Sequence, residues 1–304
     1  MKILTVPNIY QPSYKSSYPE YSCGKNIEEI FHEYFKNEKD NICTDYIYIP
    51  IYWTSLYVLR NYAANINDIY TWINNLDNTK KYFTIIQYAT GIFVNKHFNI
   101  NIKVFSAGGG GINFKNECTT TLRFNNFTRD IFTGNIGNYI IPLLCKPYFN
   151  ELNINKNIYC SFMGRFDTHP CRIKMKNCLQ DTNRFKFFNS VNYEEYNKII
   201  NESIFTLAPR GYGYTSFRLY EAILGNSIPI YIWSDKLVLP FDDIINWKNY
   251  CIIINENDID KLPDILDGVN IELYQNNIKS LKKYINFDFT YKYIKEKILN
   301  NFNG

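Results

Sequence analysis

The chain has 304 residues, 46% hydrophobic and 20% charged, with a formal net charge of +4. That is enough apolar content for one large or two ordinary cores, and the scattered Lys and Arg form no basic run dense enough to read nucleic acid. No apolar run approaches the roughly 20 residues of a membrane span, and the opening MKILTV stops at Pro7, too soon for a secretory leader, so a soluble, cytoplasmic protein is expected.

Met1–Val6 reads as a strand, followed by a loop over 7–23 rich in Tyr, Pro and Ser. Its tyrosines, Tyr10 among them, either form a sugar-stacking surface or pack as an ordinary long loop. Residues 26–35 carry helical spacing (Ile27, Ile30, Phe31, Phe35), and Asp45–Pro50 reads as a strand entering a turn. Helices are expected over 55–64 and 67–76, and strands over 82–88 and 100–105. The second of these strands runs into Ser106-Ala-Gly-Gly-Gly-Gly111, where bare backbone at Gly109 and Gly110 lets a ligand approach or gives a mobile loop. Tyr139–Leu144 is a further strand, and 149–157, polar and Asn-rich, is the natural linker.

Beyond the linker the alternation restarts. Strands are expected over 158–163, 185–188, 204–207, 228–233 and 250–254, and helices over 172–178, 193–201, 216–224, 259–266, 271–284 and 291–302. Strands alternating with helices imply mainly parallel sheets, hence an α/β protein with domains at 1–150 and 151–304, the closing helix near 288–304 packing back on the first. In such sheets ligands bind beyond the carboxyl ends of the strands. The eight cysteines are scattered, with no Cys-x-x-Cys pair, and are expected as reduced core thiols.

One stretch carries most of the information: Ala208-Pro-Arg-Gly-Tyr-Gly-Tyr-Thr-Ser-Phe-Arg-Leu-Tyr-Glu-Ala222. A strand enters a loop with two glycines and Arg210, and a hydroxyl at Thr215 or Ser216 caps the next helix. The free N–H groups and dipole of that helix mouth suit an anion. Arg218 and Glu221, three apart, share a face. A cation for phosphate beside a carboxylate for sugar hydroxyls suits a nucleotide-sugar, and the competing reading is a surface ion pair on an ordinary helix.

The residues Pro209-Arg210-Gly211, Ser216-Phe217-Arg218-Leu219-Tyr220-Glu221-Ala222, Gly225, Ile228-Pro229-Ile230, Asp235, Leu239-Pro240-Phe241 and Trp247 resemble the signature of the exostosin-like glycosyltransferases, family 47. The resemblance implies a GT-B-like architecture, two Rossmann-like domains with mainly parallel sheets facing across a cleft. It also implies an inverting transfer from a nucleoside-diphosphate sugar (a UDP-sugar such as UDP-xylose, UDP-glucuronate or UDP-galactose) to a glycan acceptor hydroxyl.

On that reading Pro209, Arg210, Gly211, Tyr212, Gly213 and Ser216 hold the diphosphate by fixed donors. Arg218 bonds phosphate or positions Glu221, and Glu221 takes the ribose. Arg165 and Arg172 reach toward the phosphates, Asn189 and Ser190 lie near the base, and Asp235 near the donor sugar. Tyr10, Tyr88, Gly109 and Gly110 fall on the acceptor side. No metal is required, because donors and dipole replace it; Asp258-Ile-Asp260 is expected as a helix cap, and His169 beside Cys171 lacks further ligands. The general base should come from the first domain. Where related sequences suggest a carboxylate after the strand at 82–88, this chain has Ala89-Thr90, so Glu117, Asp45 and Glu20 stand as candidates. A carbohydrate- or nucleotide-sugar-binding scaffold that lost turnover is the alternative. A hydrolase or phosphorylase lacks its close acidic pair.

Overall fold

The computed structural model describes residues 1–14, 25–40, 42–60, 66–124, 127–144, 155–188 and 192–299. The chain forms two compact units. The first comprises Met1–Thr119, Thr133–Lys146 and Asn286–Gly304, and the second Thr120–Phe132 and Pro147–Ile285. Relative to a single cut at 150, one short segment belongs to the later unit and the end of the chain to the earlier one.

The first unit holds a five-stranded sheet. Its strands are β1 (Lys2–Ile3), β2 (Tyr46–Tyr48), β3 (Lys81–Ile86), β5 (Asn101–Ser106) and β9 (Tyr139–Ile140), adjacent in that order and all parallel. β4 (Ile92–Val94) and β6 (Ile112–Phe114) make a separate parallel pair. Helices α1 (Ile27–Lys36), α2 (Trp53–Leu59), α3 (Asn67–Asn74) and α9 (Phe287–Leu299) complete it. α9 is held to α1 and its end by polar contacts: Tyr34 donates to Asp288 at 2.8 Å, and Tyr291 and Lys295 both donate to Glu38. Those donors hold the Glu38 carboxyl down at about 2.

The second unit has the sheet order β11-β10-β12-β13-β14, again wholly parallel. Its strands are β10 (Ile158–Met163), β11 (Phe185–Phe188), β12 (Ser203–Pro209), β13 (Ile228–Trp233) and β14 (Ile252–Asn255). Parallel strands covered on both faces must be apolar throughout, and Phe205, Leu207, Ile230 and Ile232 are fully buried; each such side chain contributes about 1.5–3 kcal/mol. Helices α4 (Pro170–Leu179) and α5 (Tyr193–Glu202) connect β10 to β11 and β11 to β12, and α6 (Phe217–Leu224) connects β12 to β13. α7 (Leu262–Asp267) and α8 (Ile271–Leu281) follow the last strand.

The order of the chain through this sheet reverses. From β10 it moves outward to β11, then returns past β10 to β12. The strand ends of β10 and β12 therefore diverge into loops on opposite sides, the switch point at which open α/β sheets form a crevice. α6 packs on β12 and β13 and against α5 and α8. Consequently every residue from Arg218 to Leu224 is buried, and neither Arg218 nor Glu221 has an exposed helix face to occupy.

A two-stranded sheet, β7 (Thr119–Phe124) with β8 (Phe127–Phe132), lies within the second unit from Thr120 on. It was not expected from the sequence. Asp258-Ile-Asp260 is not a cap either: it lies in a 3-10 turn capped by Asn255, with Asp258 paired to Lys261 at 2.6 Å. Among the six described cysteines none is in a disulfide; Cys118, Cys160, Cys171 and Cys251 are buried, whereas Cys43 and Cys178 are exposed.

Candidate functional site

Gly164 follows β10 and the loop 210–216 follows β12, so the two flank the switch point of the second unit. Ser216 caps α6, its hydroxyl accepting from the Arg218 N–H at 3.4 Å. The Arg218 guanidinium stacks on the Phe162 ring, 4.5 Å from its centroid, and reaches across to Gly164. The residue is 8% exposed, and its Nε and Nη1 are buried with no hydrogen-bond partner among the described residues. An unpaired buried cation costs several kcal/mol. The surface i,i+3 ion pair weighed from the sequence does not form: Arg218 and Glu221 are both buried, and Glu221 Oε2 accepts instead from the Tyr196 hydroxyl.

Four arginines were expected to serve one ligand, and the structure separates them. Arg210 is fully buried and anchors the loop. Its Nη1 donates to Asp235 at 2.7 Å, its Nη2 to the carbonyls of Phe132 at 2.8 Å and Tyr212 at 3.2 Å, and its plane covers the Tyr214 ring at 4.7 Å. Arg172 bridges two strand-end loops, donating to the carbonyls of Arg210 at 3.0 Å and Arg165 at 2.9 Å. Both are thus committed to protein acceptors, which revises the expectation that they touch phosphate directly. Arg165 is the exposed one, paired with Asp167 at 2.6 Å. Asp235 takes a left-handed φ of 59° after β13 and spends its carboxylate on Arg210. Pro209 ends β12; Gly211 and Tyr212 are half-buried, and Gly213 is buried. Asn189 and Ser190 lie outside the described residues.

The expectations for the first unit are largely redrawn. Asp45 precedes β2, at the amino end of the sheet, opposite to where ligands sit in parallel sheets. Glu117 lies exposed in the turn between β6 and β7, and Glu20 falls outside the described residues. Tyr10 is 4% exposed and packs edge-on against Trp72, 5.7 Å between centroids, so it is a core residue and not a stacking surface. Tyr88 is half-buried and edge-on to Tyr57. Gly109 and Gly110 are buried, and a β-carbon on Gly110 would come within 2.2 Å of Thr90 C. The chain's own 87–91 loop thus occupies the bare backbone that the sequence offered to a ligand.

A carboxyl group that does reach the carboxyl ends of this sheet comes from α1, whose first turn is closed by a capping box of Asn26 and Glu29. Glu28 Oε1 accepts from the Thr54 hydroxyl at 2.7 Å, the Thr54 N–H at 3.1 Å and the Gln87 N–H at 3.0 Å. Its Oε2 is buried without a partner among the described residues, and burial pushes its pKa up.

His169, Cys171 and Glu256 place ligand-type atoms within 4.8 Å of one another. They do not suit a divalent ion. His169 Nδ1 accepts the Cys171 N–H at 3.1 Å. Burial, then Arg210 and Arg172, hold the imidazole down at about 3, so the neutral ring carries its hydrogen on Nε2 and has no lone pair left. Burial also pushes the Cys171 thiol up to about 12. Open cavities of about 470 and 430 Å³ are lined by Leu237, Ile244 and Trp247 in the second unit and by Tyr34, Glu38 and Tyr291 in the first.

The second unit is thus defined as a doubly wound α/β domain whose switch point holds an unsatisfied buried guanidinium beside a buried carboxylate. The model of the exostosin GT47 domain matches residues 113–269, which include this whole crevice, and the chain belongs to that family. It is 36% identical over 72 residues to the Exostosin-1 homolog of Caenorhabditis elegans, covering 24% of this chain and 19% of that protein. It is 26% identical over 165 residues to the "Probable glucuronoxylan glucuronosyltransferase IRX7" of Arabidopsis thaliana, covering 47% of this chain and 36% of that protein. The chain therefore spans about a fifth to a third of the length of these relatives. Among solved structures, that of TarM superposes with a TM-score of 0.40 at 12% identity, over 85% of this chain and 54% of that one.

Proposed function

We propose that the chain transfers a sugar from a nucleoside-diphosphate sugar, with uridine diphosphate as carrier, to a hydroxyl of a glycan acceptor. The observation that carries this reading is the unpaired Arg218 guanidinium at the switch point of the second unit. A buried cation left without an acceptor is stabilised when an anion enters, and the mouth of α6 adds N–H groups and dipole to the same place. Glu221, a turn further on, takes the ribose hydroxyls. Arg210 and Arg172 act by holding the loop, so that its N–H groups face the diphosphate already in place as charge develops on the leaving group. Arg165 and Asp235 lie at the rim, toward the sugar. The stereochemistry is inverting, with no metal, and the donor sugar is xylose, glucuronate or galactose.

Titrating the protein with UDP, with and without EDTA, and assaying UDP release from the three donors tests this. Binding that Arg218→Ala abolishes supports it; no binding of any nucleotide in a broad panel removes it. The second reading, a scaffold that binds sugar-nucleotide without turnover, is favoured by one observation. Among the described residues, no exposed carboxylate follows β2, β3, β5 or β9. Saturable UDP binding with no release from any donor in the presence of acceptor glycans decides for it.

A further inference from the structure

Glu28, in the first turn of α1, is fully buried, with one carboxylate oxygen crowded by donors and the other bare. Oε1 takes the Thr54 hydroxyl, the Thr54 N–H and the N–H of Gln87, the first residue past β3. Oε2 takes nothing among the described residues. The polar groups beside it are matched with one another. Asn26 Nδ2 donates to Ser55 at 3.0 Å, Gln87 Nε2 to Asn26 at 3.3 Å, and Gln87 Oε1 accepts the Ile27 N–H at 3.1 Å. A second bare atom, the hydroxyl of the buried Thr90, follows three residues after Gln87. A carboxylate with one oxygen in apolar surroundings is under-solvated when ionised, so it binds a proton more tightly than a surface glutamate; burial is the largest cause of the raised pKa of this group. Glu28 itself is closed to solvent, but Thr54 is half-buried. Its hydroxyl gives its one hydrogen to Glu28 at 2.7 Å and keeps lone pairs to accept another.

We propose that Thr54 and Glu28 form the proton-accepting pair of the transfer, Thr54 touching the hydroxyl of the incoming sugar and Glu28 drawing the proton through it. The proposal rests on the donor reading above. As the incoming oxygen bonds the anomeric carbon, its O–H breaks and the proton passes to Thr54 Oγ1. The proton that Thr54 already carries passes to Glu28 Oε1. The bond from the anomeric carbon to the diphosphate breaks, and its electron pair leaves with UDP. Thr54 then takes its proton back from Glu28 and releases the other to water. A buried carboxylate reached through a hydroxyl thus does what an exposed carboxylate at the strand ends would do. The competing role is a tie that holds α1 to Thr54 and Gln87 by the same bonds. Glutamine separates the two roles, because its carbonyl oxygen still accepts from Thr54 and Gln87 but is no base.

The test uses the full chain as wild type, Glu28→Gln, Thr54→Val and Thr54→Ser. UDP release from UDP-xylose, UDP-glucuronate and UDP-galactose is followed with water as the incoming hydroxyl, and UDP affinity and the thermal midpoint are measured alongside. The expected result is a fall in kcat of roughly a hundredfold in Glu28→Gln and Thr54→Val, the usual size of a general-base loss. The KM for donor and the Kd for UDP should stay within about twofold of wild type, and Thr54→Ser, which keeps the hydroxyl, should restore kcat to within about threefold. A fall in kcat of less than about tenfold in Glu28→Gln overturns the proposal, as does a Thr54→Ser protein no faster than Thr54→Val. A Glu28→Gln protein that loses UDP affinity or thermal midpoint in step with kcat shows Glu28 to be a tie alone, which also overturns it. So does a wild type that binds UDP and releases none from any donor, and there the binding half of the donor reading survives. A wild type that binds no UDP removes the donor reading and this inference with it.

Discussion

The Arg218 guanidinium closes over Gly164 so tightly that a β-carbon there would lie 2.5 Å from Nη2. Gly164 also takes a φ of 128°, a conformation closed to residues with a side chain. Two demands meet at one position, one from the backbone and one from the cation. Gly164→Ala should therefore both strain the loop and push the guanidinium off Phe162. The expected outcome is a loss of UDP affinity of roughly tenfold or more, with the protein still folded by circular dichroism. Unchanged affinity would show that the cation does not need that seat.

Arg218 should show opposite signs in stability and binding. Replacing a buried charge that has no counter-ion with an apolar chain of similar volume removes its desolvation cost. Arg218→Met should thus raise the thermal midpoint of the ligand-free protein while abolishing UDP binding. A midpoint that falls would mean the guanidinium is satisfied in the folded state, and the anion site would have to be sought elsewhere.

Arg210 should behave the other way. Its guanidinium serves the carbonyls of Phe132 and Tyr212 together with Ser234 and Asp235. Removing it leaves buried carbonyls unmet, each worth about 1–3 kcal/mol. Arg210→Ala should lower stability by roughly 3 kcal/mol or more, a fall of about 6–12 °C for a domain of this size. Arg210→Lys should recover little, because a single ammonium cannot span four acceptors. A midpoint within a degree of wild type contradicts the anchoring role.

His169 offers a pH test. Its pKa falls from 6.5 to about 3 on folding, chiefly through burial and then through Arg210 and Arg172. The unfolded chain takes up a proton below 6.5 that the folded chain refuses until about 3, so stability is lost as pH falls through that window. One such proton amounts to about 2 kcal/mol at pH 5. His169→Asn keeps an acceptor for the Cys171 N–H and removes the titration, so denaturant unfolding of this variant should depend less on pH between 7 and 5 than that of wild type. His32, held at about 4, and the buried carboxyl groups titrate in both proteins and cancel in the difference.

Much of the second unit could be read directly from its residues. The runs at 158–163, 185–188 and 228–233 fall on β10, β11 and β13, because strands buried on both faces are continuous apolar words. Ser216 caps α6, and Gly225 follows it. β7 and β8 escaped notice because Thr119–Phe124 mixes polar and apolar residues without a clean alternation. The roles of the four arginines were not legible either. They look alike along the chain, and only the tertiary count of acceptors distinguishes the committed Arg210 and Arg172 from the unmet Arg218. The glycine run announced that something comes close; that the protein's own 87–91 segment meets Gly108 and Gly110, and Ile136 meets Gly111, depends on register in a sheet and lies beyond local pattern.

Phe132 ends β8 with its carbonyl on Arg210 and its ring, 5.0 Å between centroids, on Tyr214, although the residues flanking β7 and β8 belong to the other unit. The polypeptide therefore passes from one body to the other four times, after Thr119, Phe132, Lys146 and Ile285. Anyone wishing to produce the second unit alone cannot do so with one scissor cut near residue 150. A fragment starting there forfeits the strand pair that seats its arginine, and its complement keeps that pair while losing α9. Splicing 120–132 onto 147–285 through a designed linker is the dissection this threading permits.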